Sequence, residues 1–190
     1  LNVTEDDSNG TITVATTGVE DNQTVSVVLN TKTYTNTTSS NSTNITIPAA
    51  DLQALTDGGS YTVVANVSDA AGNAAAPVTS SSFTVDTTLP SINAIGTDKF
   101  SWGEVLNATE DNSNGTVTVA TTGVENDQTV SVVLNSKTYT NTISSNSTNI
   151  TIPAADLQAL TDGGSYTVVA NVSDAAGNAA SAVTSSSFTV

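Results

Sequence analysis

The sequence predicts an all-β chain of two tandem sandwich domains, and three observations carry that prediction. Residues 1–85 align without a gap on residues 106–190 at an offset of 105, with nine differences: Val3/Ala108, Asp7/Asn112, Ile12/Val117, Asp21/Asn126, Asn22/Asp127, Thr31/Ser136, Thr38/Ile143, Ala76/Ser181 and Pro77/Ala182. A period of about 100 residues is a whole β-sandwich, not a solenoid turn. Within each copy, short stretches alternate apolar and polar residues between clusters of Gly, Pro, Asn, Asp and Ser, and no stretch has the spacing of a long helix. The chain contains no cysteine, so neither sandwich has a disulfide.

Taken in order, residues 1–6 open the first repeat and Ser8, Asn9 and Gly10 form a turn. Residues 11–16 alternate with Ile12 and Val14 inward, residues 18–22 are an acidic loop, and residues 23–29 alternate again with Val25, Val27 and Leu29 inward. Residues 32–37 read as a polar edge strand carrying Tyr34, where Lys32 discourages pairing with another chain. Residues 39–42 turn, and residues 43–47 bury Ile45 and Ile47 until Pro48 ends the ladder. Residues 49–55 supply one or two helical turns with Leu52 and Leu55 toward the core. Residues 57–73, repeated letter for letter at 162–178, hold the central strand, with Tyr61, Val63, Ala65 and Val67 on one face and Val64 breaking the pattern. Residues 80–85 are the last strand, Phe83 and Val85 inward.

Between the repeats, residues 86–105 have no copy. Pro90 marks a linker over residues 86–90, so the expected domains are 1–85 and 86–190. Ile92, Ala94, Phe100 and Trp102 are expected in the first strand of the second domain. With no Met and no initiator, the chain is expected to be a fragment of something longer, and residues 1–85 to carry an unpaired sheet edge where that first strand would lie.

Eighteen acidic residues against three lysines, with no Arg and no His, give a net charge of −15 that repels a phosphate backbone and excludes nucleic acid as a partner. No apolar run approaches the roughly 20 residues of a membrane helix, so no membrane insertion is expected. Without His, Cys or Arg, Ser-His-Asp and Cys-His nucleophiles and imidazole or thiolate zinc sites are impossible. A glycosidase carboxylate pair is formally available, yet eight aromatic residues over two cores leave no sugar platform to spare. The chain is therefore read as no enzyme, with no small-molecule substrate, and as a monomer. Sequons at Asn2, Asn22, Asn36, Asn41, Asn44 and Asn66 are expected by chance in a chain so rich in Thr and Ser.

The order Asp-Gly-Gly-Ser-Tyr-Thr-Val at residues 57–63 resembles the opening of strand F in immunoglobulin domains, where a tyrosine forms a corner two residues before a cysteine; Val63 and Val168 stand at that cysteine position. The expected fold is thus two tandem Ig-like Greek-key sandwiches. The linker Val-Asp-Thr-Thr-Leu-Pro, the segment Leu106-Asn-Ala-Thr-Glu110, the Gly-Val-Glu-x-x-Gln-Thr-Val loop and the Asp-Ala-Ala-Gly-Asn loop, in this order, resemble the bacterial Ig-like extender repeats of giant RTX-type biofilm adhesins. The resemblance covers both repeats nearly end to end. It implies a calcium-stiffened spacer, exported by a type I system to the cell surface, whose partners are neighbouring repeats of the same chain and which holds a ligand-binding tip away from the cell.

Calcium takes six to eight oxygens from Asp, Glu, Asn and backbone carbonyls, the groups this chain has in excess. In an Ig-like sandwich the entering linker shares a pole with two loops, which gathers Asp86, Glu125, Asp127, Asp174 and Asn178, carboxylates that repel one another unless a divalent ion neutralises them. Glu20 and Asp69 are the first-repeat counterparts. The opposite pole of that repeat carries Glu5, Asp6 and Asp57, and Glu110, Asp111 and Asp162 correspond to these in the second. The alternative is a solvated acidic coat in which Asp69 and Asp174 cap their own loops through Asx turns. Two other functions remain open: a module that binds sugar, ice or host protein, for which pairs such as Thr11/Thr13 are the cue although they are more simply the outer face of a strand, and a stalk or surface-layer domain that needs no metal.

Overall fold

A computed structural model describes residues 1–190, which divide into two compact units, Leu1–Thr87 and Thr88–Val190. In the first unit, β1 (Gly10–Ala15) pairs antiparallel with β4 (Ser42–Ile47), while β2 (Thr24–Leu29), β3 (Lys32–Thr37), β6 (Val63–Val67) and β7 (Val78–Thr79) form a sheet in the order β3-β2-β6-β7. The helical turn α1 (Ala49–Leu52) and the short pair β5 (Ser60–Tyr61) and β8 (Phe83–Thr84) complete it. Val25, Val27 and Leu29 from one layer meet Ile45 and Ile47 from the other, and Leu52, Leu55, Val63 and Val85 close the core. This is an all-β Ig-like sandwich without a disulfide.

The second unit repeats the plan with an added strand. It comprises β9 (Ser91–Ile92), a 3-10 turn at Thr97–Lys99, β10 (Gly115–Thr122), β11 (Thr129–Leu134), β12 (Lys137–Thr142), β13 (Ser147–Ile152), α2 (Ala154–Leu157), β14 (Ser165–Tyr166), β15 (Val169–Val172), β16 (Val183–Thr184) and β17 (Phe188–Thr189). One sheet runs β13-β10-β9, another β12-β11-β15-β16, and β14 pairs with β17.

Local chemistry accounts for the turns. Asn30 and Thr31, at φ 45° and 67°, join β2 to β3 between the paired Leu29 and Lys32, the two-residue hairpin with both central residues left-handed whose twist matches the strands. Lys32 does lie on an edge strand, and its ammonium is bound to Asp51 of α1, which also accepts from the Tyr34 hydroxyl at 2.9 Å. The Thr56 N–H donates to the Tyr61 hydroxyl at 2.8 Å, and the Thr161 N–H to Tyr166 at 2.8 Å. These are the tyrosine corners, and Val168 beyond the second is fully buried.

Four sequence expectations are corrected. The stretch 61–67 is not one strand: β5 pairs with β8 and β6 with β2 and β7, so the chain changes sheet at Thr62. Likewise residues 80–85 reduce to β8, and the strand beside β6 is β7, further upstream. Ala94 is exposed while Ile95 is buried. Finally, Phe100 and Trp102 lie outside the first strand of the second unit: the turn at Thr97–Lys99 interrupts it, Phe100 makes an isolated bridge to Val117, and Trp102 stacks on Phe100 with ring centroids 5.1 Å apart. The turn resets the period-two alternation on which those expectations rested.

Candidate metal-binding loops

In each unit one loop folds around an aspartate. In the second, the Asp174 N–H donates to Asn178 O at 3.0 Å and Gly177 N–H to Asp174 O at 3.2 Å; the side chain accepts from Asn178 N–H at 2.8 Å and from Asn178 Nδ2 at 2.9 Å. Gly177 sits at φ 92°, a backbone that favours glycine. Glu125, from the loop between β10 and β11, reaches this loop and accepts the Ala175 N–H on Oε2 at 2.9 Å. Asp174 is 4% exposed and Asn178 1%. The first unit repeats the bonds: Asp69 accepts from Asn73 N–H at 2.7 Å and Nδ2 at 2.8 Å, and Glu20 from Ala70 N–H at 2.9 Å. The Asn73 bonds hold Asp69 below the ordinary carboxylate range. There Asn73 is exposed and Asp69 half-buried, so the same loop is sealed only in the second unit, where Pro90 is also buried and packs near Gly123.

Of the residues singled out at this pole, the structure brings together Glu125, Asp174 and Asn178, and Glu20 with Asp69. Asp127 is exposed at φ 69° and its N–H donates to Ile143 O. Asp86 belongs to the first unit, where its N–H donates to Leu1 O at 2.9 Å. In neither unit do three or more acidic side chains form a ready-made cage. At the other pole the acids hold backbone. Asp57 accepts the Thr87 N–H at 2.7 Å. Glu5 accepts the Asn2 N–H at 3.0 Å while Asn2 Oδ1 accepts from Thr4 and Glu5, a reciprocal cap repeated by Asn107 and Glu110. Asp111 is half-buried, with its N–H on Asn107 O, and Asp162 is exposed. Asp6 is 7% exposed and its Oδ1 is buried without a hydrogen-bond partner.

The Lys32–Asp51–Tyr34 group and its copy Lys137–Asp156–Tyr139 are polar constellations that sequence reasoning missed. The available signal was scarcity: the chain has three lysines among eighteen acids, and each of the three is paired with an aspartate.

No protein-family model and no curated protein matches the chain. Among solved structures, it is 30% identical over 99% of its length to a Ca2+-stabilised adhesin that helps an Antarctic bacterium reach out and bind ice, with a TM-score of 0.53, and it spans 45% of that chain. It is also 30% identical, over 53% of its own length and 92% of the other's, to a bacterial immunoglobulin-like domain from the M. primoryensis ice-binding adhesin, with a TM-score of 0.35. The fibronectin(III)-like modules of Clostridium thermocellum CbhA share the fold alone, at 11% identity and a TM-score of 0.55 over 97% of the chain and 86% of theirs.

Proposed function

We propose that this chain, which belongs to the bacterial Ig-like repeats of large adhesins, is a non-catalytic spacer stiffened by calcium, which works outside the cell to hold a ligand-binding tip away from the surface in adhesion and biofilm formation. Two nearly identical repeats suit a part selected for number and stiffness. The observation that carries the calcium reading is the Asp174 loop: a carboxylate 4% exposed, held by amide donors and not by a cation, with a second carboxylate, Glu125 of the β10–β11 loop, accepting an N–H of the same loop. These donors are hard oxygens and suit calcium by type. Two carboxylates and one amide fall short of six to eight ligands, so loop carbonyls, water and a further acid such as Asp127 would complete the set.

A second reading, a stalk that needs no metal, is favoured by the same loop, because its carboxylates already accept hydrogen bonds from the protein. Thermal melts in EDTA, in millimolar calcium and in magnesium separate the two. Calcium bound only by the folded state adds about 3 to 4 kcal/mol at roughly 100 to 1,000 times its dissociation constant, so calcium alone should raise Tm, and Glu125→Gln or Asp127→Asn should reduce that rise. An identical melt in EDTA and calcium would remove calcium and leave the metal-free stalk.

A further inference from the structure

The chain leaves the first unit past a turn that is itself fixed. Thr56 N–H donates to the Tyr61 hydroxyl at 2.8 Å, and Gly59 N–H donates to Thr56 O at 2.9 Å. Gly58 takes φ 73°, and a Cβ at Gly59 would lie 2.7 Å from both Thr56 O and the Tyr61 ring, so the turn depends on its two glycines. It grips the chain just beyond β8: Gly58 N–H donates to Val85 O at 2.8 Å and Val85 N–H to Gly59 O at 2.9 Å. The second unit repeats both bonds, Gly163 N–H to Val190 O at 2.8 Å and Val190 N–H to Gly164 O at 3.0 Å.

Asp57 carries this grip two residues further. Its Oδ1 accepts the Thr87 N–H at 2.7 Å and the Thr87 hydroxyl at 3.3 Å. A carboxylate accepting a backbone N–H makes a stronger hydrogen bond than a neutral acceptor does, and this one sits on a turn that has no freedom to follow a moving chain. Thr87 is half-buried, and the first unit ends there. Beyond it, Pro90 is buried and packs near Gly123, and Ser91 and Ile92 pair with Thr122 and Thr121 of β10. Thr88 and Leu89 are the two exposed residues between these anchors, and two extended residues span at most about 7 Å.

We propose that Asp57 is a positioning residue, a latch that holds the outgoing chain on the first unit and confines the hinge to Thr88 and Leu89 with no metal bound. The latch deepens the spacer reading and rests on it, giving such a spacer a source of stiffness separate from calcium. Its chemistry needs one fixed hydrogen-bond acceptor and not a negative charge as such, so asparagine can stand in for Asp57 where alanine cannot. Release of Thr87 lengthens the hinge from two residues to three and adds that residue's φ and ψ to its freedom.

The test uses the full chain in EDTA, which takes calcium out of the comparison. Amide exchange at Thr87 reads the latch, and the width of the distance distribution between spin labels at T35C and T140C reads the hinge; the chain has no cysteine of its own, and both positions are exposed. Expected for Asp57→Ala are exchange at Thr87 faster by about tenfold or more and a broader distribution, with Asp57→Asn restoring both. Three results would each overturn the latch: a distribution of unchanged width in Asp57→Ala, an Asp57→Asn variant that behaves as Asp57→Ala, or Thr87 exchanging as fast as Leu89 in the unaltered chain, which needs no variant to fold. Failure of the calcium reading is seen separately, in the melts, and leaves these outcomes where they stand.

Discussion

Gly10 and Gly115 occupy the same place in the two repeats and differ in what stands over them. A Cβ at Gly115 would lie 2.5 Å from Trp102 Cζ3 and 3.0 Å from Leu157 Cδ1, whereas one at Gly10 would lie 3.2 Å from Leu52 Cδ1, with Ile47 Cβ at an ordinary contact distance of 3.9 Å. Overpacking of a filled core destabilises by about 1–3 kcal/mol. Gly115→Ala should therefore lower the stability of the second unit by that amount, while Gly10→Ala, with only the end of one leucine to displace, should change the first by under about 1 kcal/mol; chemical denaturation of the two variants measures both. Thr38 and Ile143 show the same dependence on surroundings. The Thr38 hydroxyl donates to Glu20 O at 2.7 Å and accepts from Gln23 N–H at 3.1 Å, so a buried polar group is satisfied where the other repeat buries a methyl-rich side chain.

Among the elements, α1 is too short to be stable alone and is fastened to the edge strand β3 by Lys32, Asp51 and Tyr34. The Lys32 bond first, then the Tyr34 bond, holds the Asp51 carboxyl below its ordinary 3.8. Burial, and then Asp51, pushes the Tyr34 hydroxyl up to about 12. The signs follow from linkage. A carboxyl with a lowered folded value contributes stability that is complete above 3.8 and is lost as pH falls below it; a hydroxyl raised from 10.0 to about 12 contributes below 10 and is lost as pH rises toward 12. Denaturation midpoints measured against pH should thus decline at both ends, and Asp51→Asn with Asp156→Asn should shrink the acid decline and lower the plateau. An acid limb unchanged in that double variant would show that the two groups do not act this way.

The two units share a plan and differ in how much apolar surface they bury. The first has nine buried apolar residues in its core, the second twenty, of which Ile92, Ile95, Phe100 and Trp102 come from the segment without a copy. Burying one large apolar side chain stabilises by about 1.5–3 kcal/mol, so the second unit is the more stable. Calorimetry should resolve two transitions, the first unit melting earlier. Trp102 is the sole tryptophan and reports only the second. Its fluorescence should follow the later transition while circular dichroism registers both; coincident transitions would contradict the difference in cores.

By itself the sequence determined the all-β class, the alternation that buries Val25, Val27, Leu29, Ile45 and Ile47, and the loops on which Glu125, Asp174 and Asn178 lie, because period-two patterning and turn chemistry are local. It also gave the resemblance to adhesin repeats. What only the tertiary structure decided is whatever depends on a partner distant in the chain. The unpaired edge of the first repeat was expected from the sequence, but not its extent: eight residues that differ at one position form a six-residue strand in the first unit and an eight-residue strand in the second, where β10 has β9 beside it. The same Asp-Ala-Ala-Gly-Asn loop is exposed in one repeat and sealed in the other, and Glu125 meets it across a separation of 50 residues. A strand's edge and a carboxylate's burial are properties of what packs against them, and no local pattern encodes a neighbour's presence.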